Sequence, residues 1–187
     1  MVFSPDGKLL ATSGEDGTTR LWDTNGKQIA TLKGHQGSVR SVVFSPDGKQ
    51  IATSGDDGTA RLWDTNGKQI ATLKGYQGSV RSVVFSPDGK QIAASGDDGT
   101  ARLWDTNGKQ IATLKGYQGS VRSVVFSPDG KQIATSGDDG TARLWQLRGI
   151  DELLSKECDW VRDYLKNSSN VAESDRHLCD GMGIQRQ

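Results

Sequence analysis

Two cysteines in 187 residues are too few for a disulfide framework. Lys and Arg number 23 against 23 Asp and Glu, so neither sign of charge is in excess. An evenly spread, balanced charge argues against a nucleic-acid or anionic-membrane partner. No apolar run is longer than three residues, as in Val42-Val43-Phe44, and no segment is predicted to span a membrane. The opening Met1-Val2-Phe3-Ser4-Pro5-Asp6 has neither the basic region nor the apolar stretch of a secretory signal. Hydrophobic residues are only 33% of the chain, yet counting glycine among them brings the share close to that of folded domains, which excludes disorder. Glycine is the residue in excess, with 24 copies, about twice its usual ~7% share. The chain turns often.

It turns on a fixed period. Phe-Ser-Pro-Asp-Gly-Lys begins at Phe3, Phe44, Phe85 and Phe126, and Arg-Leu-Trp begins at Arg20, Arg61, Arg102 and Arg143, both on a step of 41. The units from Phe44 and Phe85 differ only at Thr53 against Ala94. The unit from Phe3 departs from the next at Leu9, Leu10, Glu15, Thr19 and His35. Near-identical units require near-identical surroundings, as stacked units in a ring or solenoid supply.

Each unit reads as four short strands. Residues 39–44 are β-branched and aromatic and end in the turn Ser45-Pro46-Asp47-Gly48. Residues 50–54 follow and end at Asp56-Asp57-Gly58, then residues 59–63, closed by Thr65-Asn66-Gly67. Asn-Gly is a strong hairpin signal. Residues 68–73 end the unit at Gly75. Four antiparallel strands per ~40 residues make one propeller blade.

The period, the four strands, Gly34-His35 ahead of the first strand and Trp22-Asp23, Trp63-Asp64 and Trp104-Asp105 at the end of the third resemble the WD-repeat propeller family over residues 2–146. The resemblance implies an all-β fold: four WD-type blades over residues 1–146, an incomplete propeller or open arc, with a helical tail over 147–187. It also implies a buried hydrogen-bonded tetrad in each blade. The second blade has all four members, His35, Ser54, Asp57 and Trp63. The third has Ser95, Asp98 and Trp104, and the fourth Ser136, Asp139 and Trp145, with Tyr76 and Tyr117 in the place of His. The first has Ser13, Asp16 and Trp22. In such a group Asp accepts from His, His from Ser, and Trp Nε1–H supplies a last donor. A Tyr hydroxyl could donate to Asp instead. The two Tyr blades are therefore expected to be weaker, or to turn the Tyr outward.

Other readings of these residues are less well supported. Ser54, His35 and Asp57 make a hydrolase triad by composition alone, but two blades lack the His, and a Trp completes the group. Asp64-Thr65-Asn66-Gly67 begins like a calcium loop, but its twelfth position is Gly75 rather than an acid. The Ser-Pro-Asp-Gly-Lys loops precede no helix that could cradle phosphate. No catalytic residue, cofactor or metal is expected.

The resemblance also places the loops before the first and third strands on one face, the family's usual docking face. Arg40, Arg81 and Arg122 lie there with Glu15, Asp56, Asp97 and Asp138. They form either weak solvent-exposed ion pairs or a protein-docking rim with Arg anchors, to which an outward Tyr76 and Tyr117 would add.

After Trp145 the period breaks. Ile150, Leu153, Leu154, Cys158, Val161 and Leu165 fall at helical spacing, and a helix over residues 150–166 is expected to dock near the last blade. A second short helix is expected from Ser174. Cys158, Cys179 and His177 lack the paired spacing of a zinc site, and two thiols without a secretion signal favour the reduced state over a disulfide. The tail resembles the end of long bacterial, especially cyanobacterial, WD-repeat proteins.

The reading that follows is a non-catalytic protein-interaction scaffold or sensor of a bacterial cytoplasm. The alternative is a purely structural piece of a longer signalling protein with no partner of its own. A homodimer closing an eight-bladed ring, a fragment of a larger ring and a self-closed four-blade monomer are the three assemblies considered.

Overall fold

Alternation along each strand decides this architecture, because successive side chains point to opposite faces of a sheet. The computed structural model describes residues 1–147, and its strands fall into four antiparallel sheets, each in sequence order. Blade one is β1 (Val2–Phe3), β2 (Leu9–Ser13), β3 (Thr18–Asp23) and β4 (Gln28–Lys33). Blade two is β5 (Val39–Phe44), β6 (Gln50–Gly55), β7 (Ala60–Asp64) and β8 (Gln69–Leu73). Blade three is β9 (Val80–Phe85), β10 (Gln91–Gly96), β11 (Thr100–Asp105) and β12 (Gln110–Lys115). Blade four has three described strands, β13 (Val121–Phe126), β14 (Gln132–Gly137) and β15 (Ala142–Gln146). Met1–Trp145 pack as one compact unit. The expected tail helices, with Cys158, His177 and Cys179, lie outside the described residues.

The hairpins close on glycine. In Ser45-Pro46-Asp47-Gly48, the Gly48 amide bonds the Ser45 carbonyl at 2.9 Å, and Asp47 accepts from the Ser45 hydroxyl and the Lys49 amide. Gly48 stands at φ 70°, left-handed backbone that costs glycine little. At the other end of the blade, Asp64 accepts from the amides of Asn66 and Lys68, both at 2.9 Å. The aspartate of each Trp-Asp pair thus ties down its own hairpin.

Register sorts the side chains. Ile51 faces Trp63 and Thr53 faces Arg61, so these share one face, while Ala52, Leu62, Ser54 and Ala60 share the other. The second face of each blade packs on the first face of the next. Ala11, Leu21 and Leu32 of blade one meet Val42, Phe44, Ile51 and Trp63 of blade two. Ala52, Ala60, Leu62 and Leu73 of blade two meet Tyr76, Val80, Val83, Ile92, Ala94 and Trp104 of blade three. The core is a stack of such interfaces, each burying leucine and tryptophan side chains worth about 1.5–3 kcal/mol apiece.

Two bulges recur, both of them in blades two and three and one each in blades one and four as described. Val39 pairs with Gly55 but Ser41 with Ser54, leaving Arg40 as the extra residue, and the same shift isolates Arg81 and Arg122. Leu62 pairs with Ala71 but Trp63 with Gln69, leaving Ile70 over, as Ile29 and Ile111 are in their blades. These isoleucines are exposed on the outermost strands. Such bulges blunt a sheet edge against further pairing.

Candidate functional site

The most elaborate polar group lies in blade two, where four elements converge. Asp57, in the tight turn before β7, accepts from His35 Nδ1 at 3.0 Å, the Gln36 amide at 3.0 Å, the Thr59 amide at 3.1 Å and the Thr59 hydroxyl at 2.8 Å. Arg61 Nη2 stands 3.3 Å from its other oxygen. Burial alone would raise the Asp57 carboxyl, but the Gln36 amide, His35 and Thr59 hold it well below the usual carboxylate range. On the far side of the ring, His35 Nε2 is 2.8 Å from Thr53 Oγ1, which also receives Trp63 Nε1–H at 2.9 Å. Proton counting settles the tautomer. The Asp57 carboxylate can only accept, so neutral His35 carries its proton on Nδ1, and the Thr53 hydroxyl, which accepts from Trp63, gives its own proton to the bare Nε2. Burial pushes the His35 pKa below its ordinary value against the pull of Asp57, and the Arg61 charge pushes it the same way. The imidazole is neutral and fully engaged.

The hydroxyl in this network belongs to Thr53 and not, as expected from the sequence, to Ser54. Strand alternation puts Thr53 on the Trp63 face and Ser54 on the other. Ser54 Oγ is buried without a hydrogen-bond partner, and Ser95 Oγ is in the same state. Trp22 and Trp145 likewise bond Thr12 at 2.9 Å and Thr135 at 2.8 Å, where Ser13 and Ser136 had been expected. Ser54 therefore makes no hydrogen bond to His35, and the hydroxyl beside the imidazole is that of Thr53.

The tyrosines also depart from expectation. Tyr76 is buried, not turned outward, and its hydroxyl donates to the Ala94 carbonyl at 2.5 Å rather than to Asp98. Its ring lies 5.9 Å from that of Trp104 and 4.9 Å under Arg102. Ala94, the one residue by which this unit differs from its neighbour, stands where Thr53 stands in blade two and offers Trp104 no hydroxyl. Tyr117 is half-buried and its hydroxyl meets the Thr135 carbonyl at 2.7 Å and Oγ1 at 2.6 Å, with Arg143 4.4 Å from its ring. Neither ring is available as a rim anchor. Room for both comes from Gly96 and Gly137, where an added Cβ would collide with the phenol ring; Gly55 makes the same room for His35.

Asp98 and Asp139 keep the rest of the pattern. Asp98 accepts from the Gln77 and Thr100 amides, the Thr100 hydroxyl and Arg102, and Asp139 from Gln118, Thr141 and Arg143. Asp16 of blade one is bonded by Thr18 and Arg20, the Thr18 hydroxyl first, and its carboxyl is pulled down to about 2.

In blades two, three and four the rim charges come together in pairs, and Glu15 of blade one is in no pair among the described residues. Arg81 Nε and Nη2 reach the two oxygens of Asp97 at 2.7 and 2.6 Å, and Arg122 reaches those of Asp138 at 2.6 and 2.8 Å. Arg40 grips Asp56 in the same two-pronged way. Bulging is what aims them, since an unpaired residue in the strand swings its side chain back over the sheet's end. The fork geometry suits a carboxylate. Each Asp is held below its ordinary pKa, first of all by its Arg. Among the described residues no three His, Cys, Asp or Glu side chains form a metal-ligand group, and no helix is long and apolar enough to cross a membrane.

The comparisons agree with this geometry. Residues 1–152 match the family model described as the IFT122 first beta-propeller. An uncharacterized WD repeat-containing protein of Nostoc sp. (strain PCC 7120 / SAG 25.82 / UTEX 2576) is 48% identical over 42 residues, which is 22% of this chain and 3% of that relative. This chain thus matches about one repeat of a far longer protein. With four in-phase blades, the Trp-Asp hairpins and the match across the blades, the chain belongs to the WD-repeat β-propeller family.

Proposed function

We propose that the chain is a non-catalytic protein-interaction scaffold that docks a protein partner across the rim formed by Arg40–Asp56, Arg81–Asp97 and Arg122–Asp138. The observation that carries this reading is the repetition of one solvent-facing Arg–Asp fork at the same bulge in successive blades. In blade two the polar groups of His35, Asp57, Thr53 and Trp63 are bonded to one another and withdrawn from solvent. The forks face solvent, and each guanidinium can exchange its aspartate for an acid or carbonyl of a partner. Because every Arg has its own Asp, the rim's field largely cancels, which favours a protein over nucleic acid or an anionic membrane. A bacterial cytoplasmic setting and a signalling role belong to this reading; the Nostoc relative, an uncharacterized WD repeat-containing protein, supports its bacterial part alone. Cofactors have no place in it.

The test compares capture of partners by the wild-type chain and by an Arg40→Glu, Arg81→Glu, Arg122→Glu variant whose melting is unchanged. A partner retained by the first and lost by the second supports the rim. Retention by both places docking elsewhere. The alternative, a structural piece with no partner of its own, draws on the exposed apolar faces of blades one and four, and is supported if neither chain retains anything specific.

A further inference from the structure

The inter-blade contact is made three times within the chain, and the two halves of a fourth are left exposed. Leu21, Leu62 and Leu103 are at most 1% exposed, each under the next blade, whereas Leu144 at the same repeat position is 62% exposed. Phe44 is 9% exposed against the preceding blade, whereas Phe3, its counterpart in blade one, is 63% exposed. Glycines report the same thing from the backbone. A Cβ on Gly67 would meet Ala30 at 3.6 Å and one on Gly108 would meet Ala71 at 3.0 Å, both on the preceding blade, while one on Gly26 would meet nothing. A Cβ on Gly58 or Gly99 would meet the next blade's backbone at 3.1 Å, while one on Gly140 would meet nothing.

The exposed halves are complementary in the part they repeat of halves already joined, the middle strands of each blade; Tyr76, Val80 and Leu73 of the blade two–three contact have no counterpart among the described residues of blades one and four. Blade three offers blade two Phe85, Ile92 and Trp104; blade one offers Phe3, Leu10 and Trp22 at those positions. These three line a hollow of about 380 Å³ with Thr12, Asp23, Thr24 and Gly26. Blade two presents Ala52, Ala60, Leu62 and Val43; blade four presents Ala134, Ala142, Leu144 and Val125.

We propose that two copies of this chain join head to tail, the Leu144 face of blade four in one copy seated on the Phe3–Leu10–Trp22 face of blade one in the other. Two such junctions between the four described blades of each copy would close eight blades around a two-fold axis. Eight is within the ~4–8 blades of known propellers, and closure on a two-fold is the commonest oligomer symmetry. The junction is heterologous, so it predicts more than a dimer's mass. The interface is independent of the rim proposed above, whose Arg–Asp forks lie within single blades.

The experiment is light scattering and sedimentation on the 187-residue chain at micromolar concentration, with Leu144→Asp and Phe3→Asp made separately. Wild type is expected at twice 20.1 kDa. Each variant alone carries the lesion at both junctions and is expected at 20.1 kDa, with dimer affinity reduced at least tenfold. An equimolar mixture of the two has one junction with both lesions and one with neither, so mixing is expected to restore association. That rescue also shows that both variants are folded. A monomeric wild type overturns the proposal, as would a dimer indifferent to both substitutions or a mixture that stays monomeric. Growth of wild type into chains with rising concentration instead of a fixed dimer would overturn closure at eight.

Discussion

Removing the Thr53 hydroxyl takes away the acceptor of Trp63 Nε1–H and the donor to His35 Nε2 together, in a fully buried position. Thr53→Ala is therefore expected to cost about 1–3 kcal/mol, measured as a lower melting temperature. Ser54→Ala removes an oxygen that bonds nothing and should leave stability unchanged or slightly raised; equal losses would mean that Ser54 shares the network. The neutral His35 adds a pH dependence of fixed sign. Its folded pKa lies below the ordinary value, so the unfolded chain takes up the proton first as pH falls. Stability present above about pH 6.5 should decline as pH drops through the folded value. His35→Tyr copies blade four into blade two, with Thr53 in the role of Thr135, and should flatten the decline between about pH 7 and 5 measured by denaturant titration. An unchanged slope would place the titration elsewhere. The membership of this network was only half legible in the sequence. His35 and Trp63 are each the sole residue of their kind nearby, but Thr53 and Ser54 are adjacent hydroxyls, as Asp56 and Asp57 are adjacent acids. Only the pairing of Ile51 with Trp63 tells the hydroxyls apart, two residues along one face. The inward turn of Tyr76 was signalled by Gly96, whose missing Cβ makes the space.

At the scale of strands and turns, the repeat does most of the specifying. Ser-Pro-Asp-Gly and Asp-Thr-Asn-Gly carry their own side-chain to backbone bonds, so the strand limits follow from local chemistry. Bulges were not legible, because an extra residue is a property of two paired strands and not of one. Arg40 and Ile70 look like ordinary alternating positions until Ser54 and Gln69 are set against their partners. The bulged Arg has a testable energetic consequence. Arg81 and Asp97 are partly exposed, so their fork should add little stability: Arg81→Ala is expected to cost within about 1 kcal/mol. What it adds should shrink as salt shortens the screening length from about 8 Å toward 3 Å at 1 M. A loss well above this range in urea denaturation, insensitive to salt, would make the fork a structural clamp and would remove the ease of re-pairing on which rim docking depends.

For the whole molecule, near-identity of the units turns four leucines into one experiment in different surroundings. Leu21, Leu62 and Leu103 have the same immediate neighbours in sequence as Leu144, and differ from it in lying under a next blade and beside a described fourth strand of their own. A large-to-small change at a buried leucine costs about 2–5 kcal/mol, the spread reflecting how far the cavity collapses. Leu62→Ala should pay this at any protein concentration, since its cover is part of the same chain. Leu144 is covered only when a second copy arrives, and a partner that binds the folded state alone raises the melting temperature with concentration. Wild type and Leu62→Ala are thus expected to melt higher at about 100 μM than at about 1 μM, with Leu62→Ala displaced downward by a constant amount. Leu144→Ala should match wild type in dilute solution, where both are single copies, and fall progressively behind it as concentration rises. Parallel behaviour of the two leucines, or a wild-type melting temperature independent of concentration, would show that the Leu144 face is not joined to another copy of the chain.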